Sequence, residues 1–184
     1  PKDVILKYRN MTGKSMKHLK FLVLIFYFVI GTASAQLTTF YVTPNETDSA
    51  YESPSDSNYV AINLSSTPVN KLLFYIGGTQ SSPRRTTYFL DQAANLGYHA
   101  FSITYPNSTS IQTACGSSSD TTCYENFRQE ACYGTPLSAS INIDTLNSLY
   151  TRAIKLLQYL DSQYPNQNWA QFLDGNSLQW TNIV

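Results

Sequence analysis

The sequence predicts an α/β domain, incomplete at its C-terminal end, whose mostly parallel sheet is flanked by helices. Three observations predict this class. Apolar runs typical of buried strands alternate with segments of helical periodicity, turn residues separate them, and a strand pattern at residues 180–184 ends the chain. We therefore expect residues 36–184 to be the N-terminal part of a larger domain.

The first 35 residues have the pattern of a leader. Met16 opens a short basic stretch, an apolar run of about ten residues follows, and Ala33-Ser34-Ala35 supplies the small residues of a cleavage site. A membrane span needs roughly 20 residues, so an uncleaved anchor is the weaker interpretation. We expect an upstream unstructured segment at 1–15, a signal peptide at 16–35, secretion to an extracellular or periplasmic location, and no stable membrane anchor.

The charge of the remaining chain argues against polyanionic partners. Six of the twelve basic residues but one of the twelve acidic ones precede Gln36, which leaves six basic against eleven acidic residues. A chain with this excess of carboxylates lacks the basic surface that neutralises phosphates. We expect neither nucleic acid nor an anionic membrane surface as a partner.

The first predicted elements are strands. Leu37–Val42 and Asn58–Asn63 are extended segments separated by a stretch rich in Pro, Asn, Ser and Asp, which favours an opening pair of strands. Residues 71–76 form a continuous apolar run, typical of a strand covered on both faces. Gly77-Gly78 ends this strand.

A helix and a further strand follow. Ser82 suits an N-cap, Pro83 suits the first helical position, and Gly97 suits the residue after the end. The predicted buried stripe is Phe89, Ala93 and Leu96. Residues 98–105 read as the next strand, so 71–105 form a parallel strand-helix-strand unit.

A second helix is predicted at 145–164, capped by Asp144 and ended by Pro165. Its apolar positions recur at steps of three and four and give one buried face. These positions are Leu146, Leu149, Tyr150, Ala153, Ile154, Leu157 and Leu160. A loop at 166–179 then leads to the final strand at 180–184.

At this point the chain resembles a known family. Residues 72–83 and 93–106 resemble the third strand, oxyanion loop, first helix and fourth strand of the α/β-hydrolase superfamily. Residues 180–184 resemble the fifth strand, which in that family leads into the Gly-x-Ser-x-Gly nucleophile elbow. The resemblance covers about residues 57–184 and is to secreted esterase or depolymerase-like members. It implies an incomplete α/β-hydrolase fold.

The resemblance also implies a chemistry, namely hydrolysis of carboxylic esters by Ser-His-Asp acyl transfer without a cofactor. Its substrate would be a small-molecule or polymeric ester. Gly78 and Thr79 are the oxyanion-hole candidates, and the alternative is that the glycine pair merely turns the chain. No Gly-x-Ser-x-Gly occurs in the 184 residues, so nucleophile, acid and histidine are expected after Val184. We therefore expect this chain alone to be inactive.

The remaining charged residues are weaker candidates. His99 starts a strand and is expected to be structural rather than a general base. Arg128 and Glu130 lie in the predicted loop 105–137, where they would either shape a substrate pocket or belong to a solvated loop. Arg84 and Arg85, in a first helical turn, mildly indicate a partner anion.

Three cysteines, Cys115, Cys123 and Cys132, predict one disulfide with three possible pairings in an oxidising compartment. Their spacing and the lack of a nearby histidine disfavour zinc, so no metal site is expected. The triplets at Asn45, Asn63 and Asn107 are candidate N-glycosylation sites.

Two other functions fit parts of the sequence. A secreted, non-catalytic module that binds carbohydrate or protein would explain the many Tyr, Ser and Thr residues and the missing triad. A phosphate site at Gly77-Gly78 lacks the motifs that such sites carry. The codons after Val184 discriminate, since a Gly-x-Ser-x-Gly within about ten residues would favour the hydrolase.

Overall fold

A four-stranded mixed sheet organises the chain. The computed structural model describes residues 36–51 and 56–184, so the predicted segments 1–15 and 16–35 lie outside the described residues. The strands are β1 (Leu37–Val42), β2 (Asn58–Asn63), β3 (Leu72–Tyr75) and β4 (His99–Ser102), in the order β1-β2-β4-β3. The predicted bounds of β1 and β2 are confirmed.

The predicted fold class, an incomplete α/β-hydrolase fold with a mostly parallel sheet flanked by helices, is wrong, because the sheet is small and mixed. β2 pairs antiparallel with both β1 and β4, and β3–β4 is the one parallel pair of strands in the described part of the chain. The apolar run 71–76, which predicted a strand covered on both faces, is buried only at Leu72 within β3, whereas β2 is buried along its whole length and has two antiparallel neighbours. An apolar run alone therefore fixes neither the burial of a strand nor its direction.

The predicted parallel unit between β3 and β4 is confirmed, but its helix is shifted. Ser82 caps a 3₁₀ turn, Pro83–Arg85, and the helix α2 then spans Thr87–Asn95. Gly97 follows with φ of +90°, and a Cβ there would lie 2.0 Å from the carbonyl oxygen of Thr67.

The predicted buried stripe of α2 is wrong at Phe89 and Leu96, whereas Ala93 is partly buried and packs against the core. Leu90 and Ala94 are buried, whereas Phe89 and Leu96 are 52% and 71% exposed. The 3₁₀ turn explains the error, because it separates the capped start from the α-helix and shifts the helical phase.

A longer helix covers the other face of the sheet. We call Pro44–Thr47 α1, Ile111–Cys115 α3, Cys123–Tyr133 α4 and Leu149–Gln163 α5. α5 begins after Ser148, whose Oγ accepts a hydrogen bond from the N–H of Thr151. Asp144 instead stabilises the preceding turn, so the predicted start at 145 is wrong.

The buried face of α5 is close to the predicted one. Leu146 precedes the helix, Tyr150 is half-buried, and Leu156 is an additional buried residue. The complete buried set is Leu149, Ala153, Ile154, Leu156, Leu157 and Leu160.

Strand alternation produces two cores. Val60 and Ile62 point to the face that packs on α5, whereas Tyr59 and Ala61 point to the face that packs on α2. The sheet is therefore covered on both sides by helices. One is α2, which follows β3 in the chain, and the other is α5, which precedes the C-terminal segment.

The predicted loop 105–137 is wrong, because it contains α3 and α4. A disulfide between Cys115 and Cys123 joins these helices, and Cys132 is free. One disulfide among the three cysteines is thus confirmed, and it fits a protein that folds in an oxidising compartment. No helix in the described ranges is long and apolar enough to cross a membrane.

The C-terminal segment is more structured than predicted. Residues 165–172 form two 3₁₀ turns, and β5 (Leu173–Asp174) pairs with β6 (Ser177–Leu178) in a hairpin. The predicted strand 180–184 begins instead as a 3₁₀ turn, Trp180–Asn182. Ile183 then bridges Leu72 in parallel, and Val184 exchanges backbone hydrogen bonds with β3.

Candidate functional site

A cavity of about 490 Å³ lies beyond the carboxyl ends of β3 and β4. We call it the cleft. The loop after β3, the segment after β4, α4 and residues 140–143 line it. The carboxyl ends of parallel strands are where ligands collect in open α/β sheets.

The lining combines an apolar body with polar edges. Its apolar side chains are Ile111, Phe127, Ala131, Ile141, Ile143 and Leu149, and its polar residues include Thr79, Tyr105, Asn107, Ser108, Thr109, Arg128, Ser140 and Asn142. Such a mixture is typical of small-molecule sites, where apolar walls supply affinity and a few polar groups fix orientation.

The loop after β3 is held in one conformation. The N–H of Ser81 donates to the Gly78 carbonyl at 3.0 Å across a turn in which Gln80 has φ of +56°. Asn107 Nδ2 donates to the carbonyls of Gly78 and Ser81, both at 3.0 Å, and the Asn107 carbonyl accepts from the N–H of Gln80 at 2.9 Å. The segment after β4 therefore fixes the loop from one side.

The two glycines of this loop have different surroundings. A Cβ at Gly77 would lie 2.7 Å from Ser81 Oγ, so a side chain would disturb the turn there. A Cβ at Gly78 would have no neighbour within 4 Å. Gly77 is required by close packing, whereas Gly78 faces open space in the cleft wall.

Gly78 and Thr79, the predicted oxyanion candidates, both line the cleft. Among the described residues, none accepts a hydrogen bond from the backbone N–H of either residue. Two adjacent N–H donors on a fixed turn form a small positive site for an anionic oxygen.

Known proteins give no further guide to this site. No family model, curated protein or solved structure matches the chain. The resemblance to the α/β-hydrolase superfamily therefore stays a prediction, and the cleft has to be interpreted from its own residues.

Arg128 and Glu130 lie on α4, not in a loop, and their roles diverge. Arg128 lines the cleft, with its guanidinium 5.8 Å from the centre of the Tyr124 ring. Glu130 is 1% exposed, and its carboxylate accepts hydrogen bonds from the N–H groups of Leu137 at 2.9 Å, Ser138 at 2.7 Å and Ile143 at 3.0 Å. Glu130 thereby fixes the segment that forms one wall of the cleft.

The pKa of Glu130 reflects this arrangement. Burial alone would raise the pKa, but the backbone donors of Ser138, Ile143 and Leu137 outweigh it and lower the pKa below 4.5. A sequence signal for this role exists, because Cys123, Phe127 and Glu130 follow the spacing of a buried helical stripe.

Cys132 also lines the cleft, one helical turn beyond Arg128. Burial raises the pKa of its thiol, so the thiol form dominates at neutral pH and its nucleophilicity is low.

His99 lies at the other end of β4, away from the cleft. Its Nε2 lies 2.6 Å from the Gln167 carbonyl, and its ring packs edge-on against Trp169 and Phe172. Burial lowers its pKa although the hydrogen bond to Gln167 opposes the shift. These contacts agree with the predicted structural role.

The remaining candidates lie outside the cleft or are engaged within it. Arg84 pairs with Asp56 at 3.4 Å and stacks over Tyr41, so its charge is already partnered. Asn45 is exposed, whereas the side-chain nitrogens of Asn63 and Asn107 donate to Asn95 and to the loop after β3. Glycosylation at these three positions stays a prediction.

Proposed function

We propose that this chain supplies the oxyanion-binding part of a secreted serine hydrolase that cleaves carboxylic esters. The observation that carries the proposal is the pair of unengaged backbone N–H groups at Gly78 and Thr79 in the cleft wall. The loop between the third strand and the following helix is also where the α/β-hydrolases place an oxyanion donor.

The geometry suits stabilisation of a tetrahedral intermediate. Charge develops on the carbonyl oxygen during acyl transfer, and donors that are already oriented need no reorganisation at that step. Asn107 and Tyr105 hold the loop through hydrogen bonds to the carbonyls of Gly78 and Gly77. The apolar walls of the cleft lower the local dielectric beside these donors, which strengthens each such interaction.

The nucleophile is proposed to come from a continuation of this polypeptide. Ser108, Thr109 and Ser140 line the cleft, but His99, the one histidine in the described residues, lies at the opposite end of β4. Val184 is hydrogen-bonded alongside β3 and runs parallel to it.

The test uses a protein that contains this chain and its continuation. Residues 78–81 form a turn in which Thr79 is the second residue and Gln80, the third, has positive φ. The second position of such a turn accepts proline. Thr79→Pro therefore removes the N–H donor while keeping the turn, and we expect kcat for p-nitrophenyl acetate to fall roughly 100-fold.

The matched control is Thr79→Ala, which keeps the N–H and is expected to retain the parent kcat. Circular dichroism verifies that both variants fold. Equal kcat values for the two variants would contradict the oxyanion role of this loop. The 184-residue chain alone is expected to show no turnover above background.

A non-catalytic binding module remains the alternative, and one surface feature favours it. Tyr133, Tyr150 and Trp180 form a row with ring centroids 5.8 and 6.2 Å apart, and Tyr133 and Trp180 are more than half exposed. Exposed apolar patches of this kind mark interaction sites. A stop codon directly after Val184 would favour this alternative.

A further inference from the structure

The electrostatic character of the cleft is one-sided. Arg128 is the one charged side chain among the described residues that line it, and the lining contains no Asp or Glu. Gly78 and Thr79 line the same cavity, and their backbone N–H groups have no acceptor among the described residues.

The carboxylates nearest to Arg128 along α4 are engaged elsewhere. Glu125 accepts a hydrogen bond from Gln129 at 3.3 Å, and Glu130 is occupied by three backbone N–H groups. Arg128 forms no ion pair with any described residue, although its guanidinium is placed over the Tyr124 ring. The described lining of the cleft thus includes one exposed cation that has no carboxylate partner among the described residues.

We propose that the cleft binds an organic ligand in which a carboxylate is attached to an apolar body. Arg128 pairs with the carboxylate, because a guanidinium fits the two oxygens of that group. The apolar body packs against Phe127, Ile141 and Leu149. The inference rests on the proposed function in one respect, since it makes the substrate an ester that carries a free carboxylate.

Arg128 is exposed at the edge of the cleft and is the one cation among its described lining residues, which favours a carboxylate over a phosphate. A phosphate carries more charge than a carboxylate and is commonly held by several cations. The one unpaired cation of the described cleft matches the single charge of a carboxylate.

The experiment measures binding to the full 184-residue chain by isothermal titration calorimetry. The probes are 3-phenylpropionate and its neutral counterpart, 3-phenylpropanamide. We expect the carboxylate to bind about tenfold more tightly than the amide, the difference that a hydrogen-bonded charge pair gives in a partly open site. In Arg128→Gln this preference is expected to disappear, and in Arg128→Lys it is expected to be reduced.

Arg85→Gln serves as the matched control, because Arg85 is exposed and does not line the cleft. It should keep the full preference for 3-phenylpropionate. Equal binding of the two probes, no binding of either, or an unchanged preference in Arg128→Gln would overturn the proposal.

A second readout locates the ligand. Cys132 lines the cleft, so 3-phenylpropionate should slow its alkylation by iodoacetamide at pH 8.5 in the parent and not in Arg128→Gln. Binding without protection of Cys132 would overturn the proposed position. If Arg128→Gln fails to fold by circular dichroism, Arg128→Lys together with Cys132 protection in the parent decides the matter.

The two proposals fail in different ways. Loss of the carboxylate preference would overturn this inference and leave acyl transfer standing, because binding is measured without turnover. Unchanged turnover in Thr79→Pro would overturn acyl transfer and leave carboxylate binding in place.

Discussion

At the scale of single residues, Glu130 connects the core to the cleft. It is a buried carboxylate without a cationic partner among the described residues, and three backbone N–H groups take that partner's place. The donors come from residues 137–143, of which 140–143 line the cleft. One side chain therefore sets the shape of a segment that has no helix or strand of its own.

We expect Glu130→Gln to lower the free energy of unfolding by at least about 2 kcal/mol. The amide has one acceptor oxygen for three donors, and its NH₂ group faces an N–H that it cannot bind. Urea denaturation measures the loss. Glu125→Gln on the exposed face of α4 is the control, and a comparable loss in both variants would contradict the role given to Glu130.

At the scale of elements, local pattern predicted where strands lie but not how they are directed. The turn-rich flanks of β1 and β2 defined their bounds, whereas the antiparallel pairing of β2 with β4 depends on chain topology that no single run encodes. α3 and α4 escaped prediction because Ser, Thr and Gly dominate the first half of their segment.

The sequence likewise predicted only part of the candidate site. Gly78 and Thr79 come three and four residues after the end of β3, whose apolar run the sequence shows, and the structure places both in the cleft wall. The partners of Glu130 and the isolation of Arg128 depend on contacts between α4 and residues 137–143, which no periodicity reports.

The corrected face of α2 gives a prediction at this scale. Leu90 is fully buried in the core between α2 and the sheet, so Leu90→Ala should lower the free energy of unfolding by about 2 to 5 kcal/mol. Phe89→Ala, next to it on the exposed side, should cost less than about 1 kcal/mol. Urea denaturation of both variants tests the helical phase, and a larger loss for Phe89→Ala would restore the stripe predicted from sequence.

At the scale of the whole molecule, the sheet is stabilised from two sides and joined to the C-terminal turns through His99. Its ring lies between Trp169 and Phe172, and its Nε2 meets the Gln167 carbonyl. The other ring nitrogen, Nδ1, is buried without a hydrogen-bond partner in the described part of the chain. A proton added there would be a buried charge without compensation.

Stability of the whole chain should therefore fall in mild acid. Burial lowers the pKa of His99 in the folded state below its ordinary value of 6.5, so the unfolded state binds a proton first as the pH falls. The stabilisation is complete above pH 6.5 and is lost as the pH falls toward the folded pKa, with a slope of at most about 1.4 kcal/mol per pH unit. Glu130, whose folded pKa is lowered from 4.5, adds a further loss of stability only below that pH.

Urea unfolding at pH 7.5, 6.5 and 5.5 measures the loss of stability that His99 causes. His99→Gln should flatten this pH dependence, because the amide keeps a donor for Gln167 but does not titrate. If the free energy of unfolding of the parent is constant between pH 7.5 and 5.5, or if His99→Gln keeps the pH dependence of the parent, His99 is not the cause of acid destabilisation.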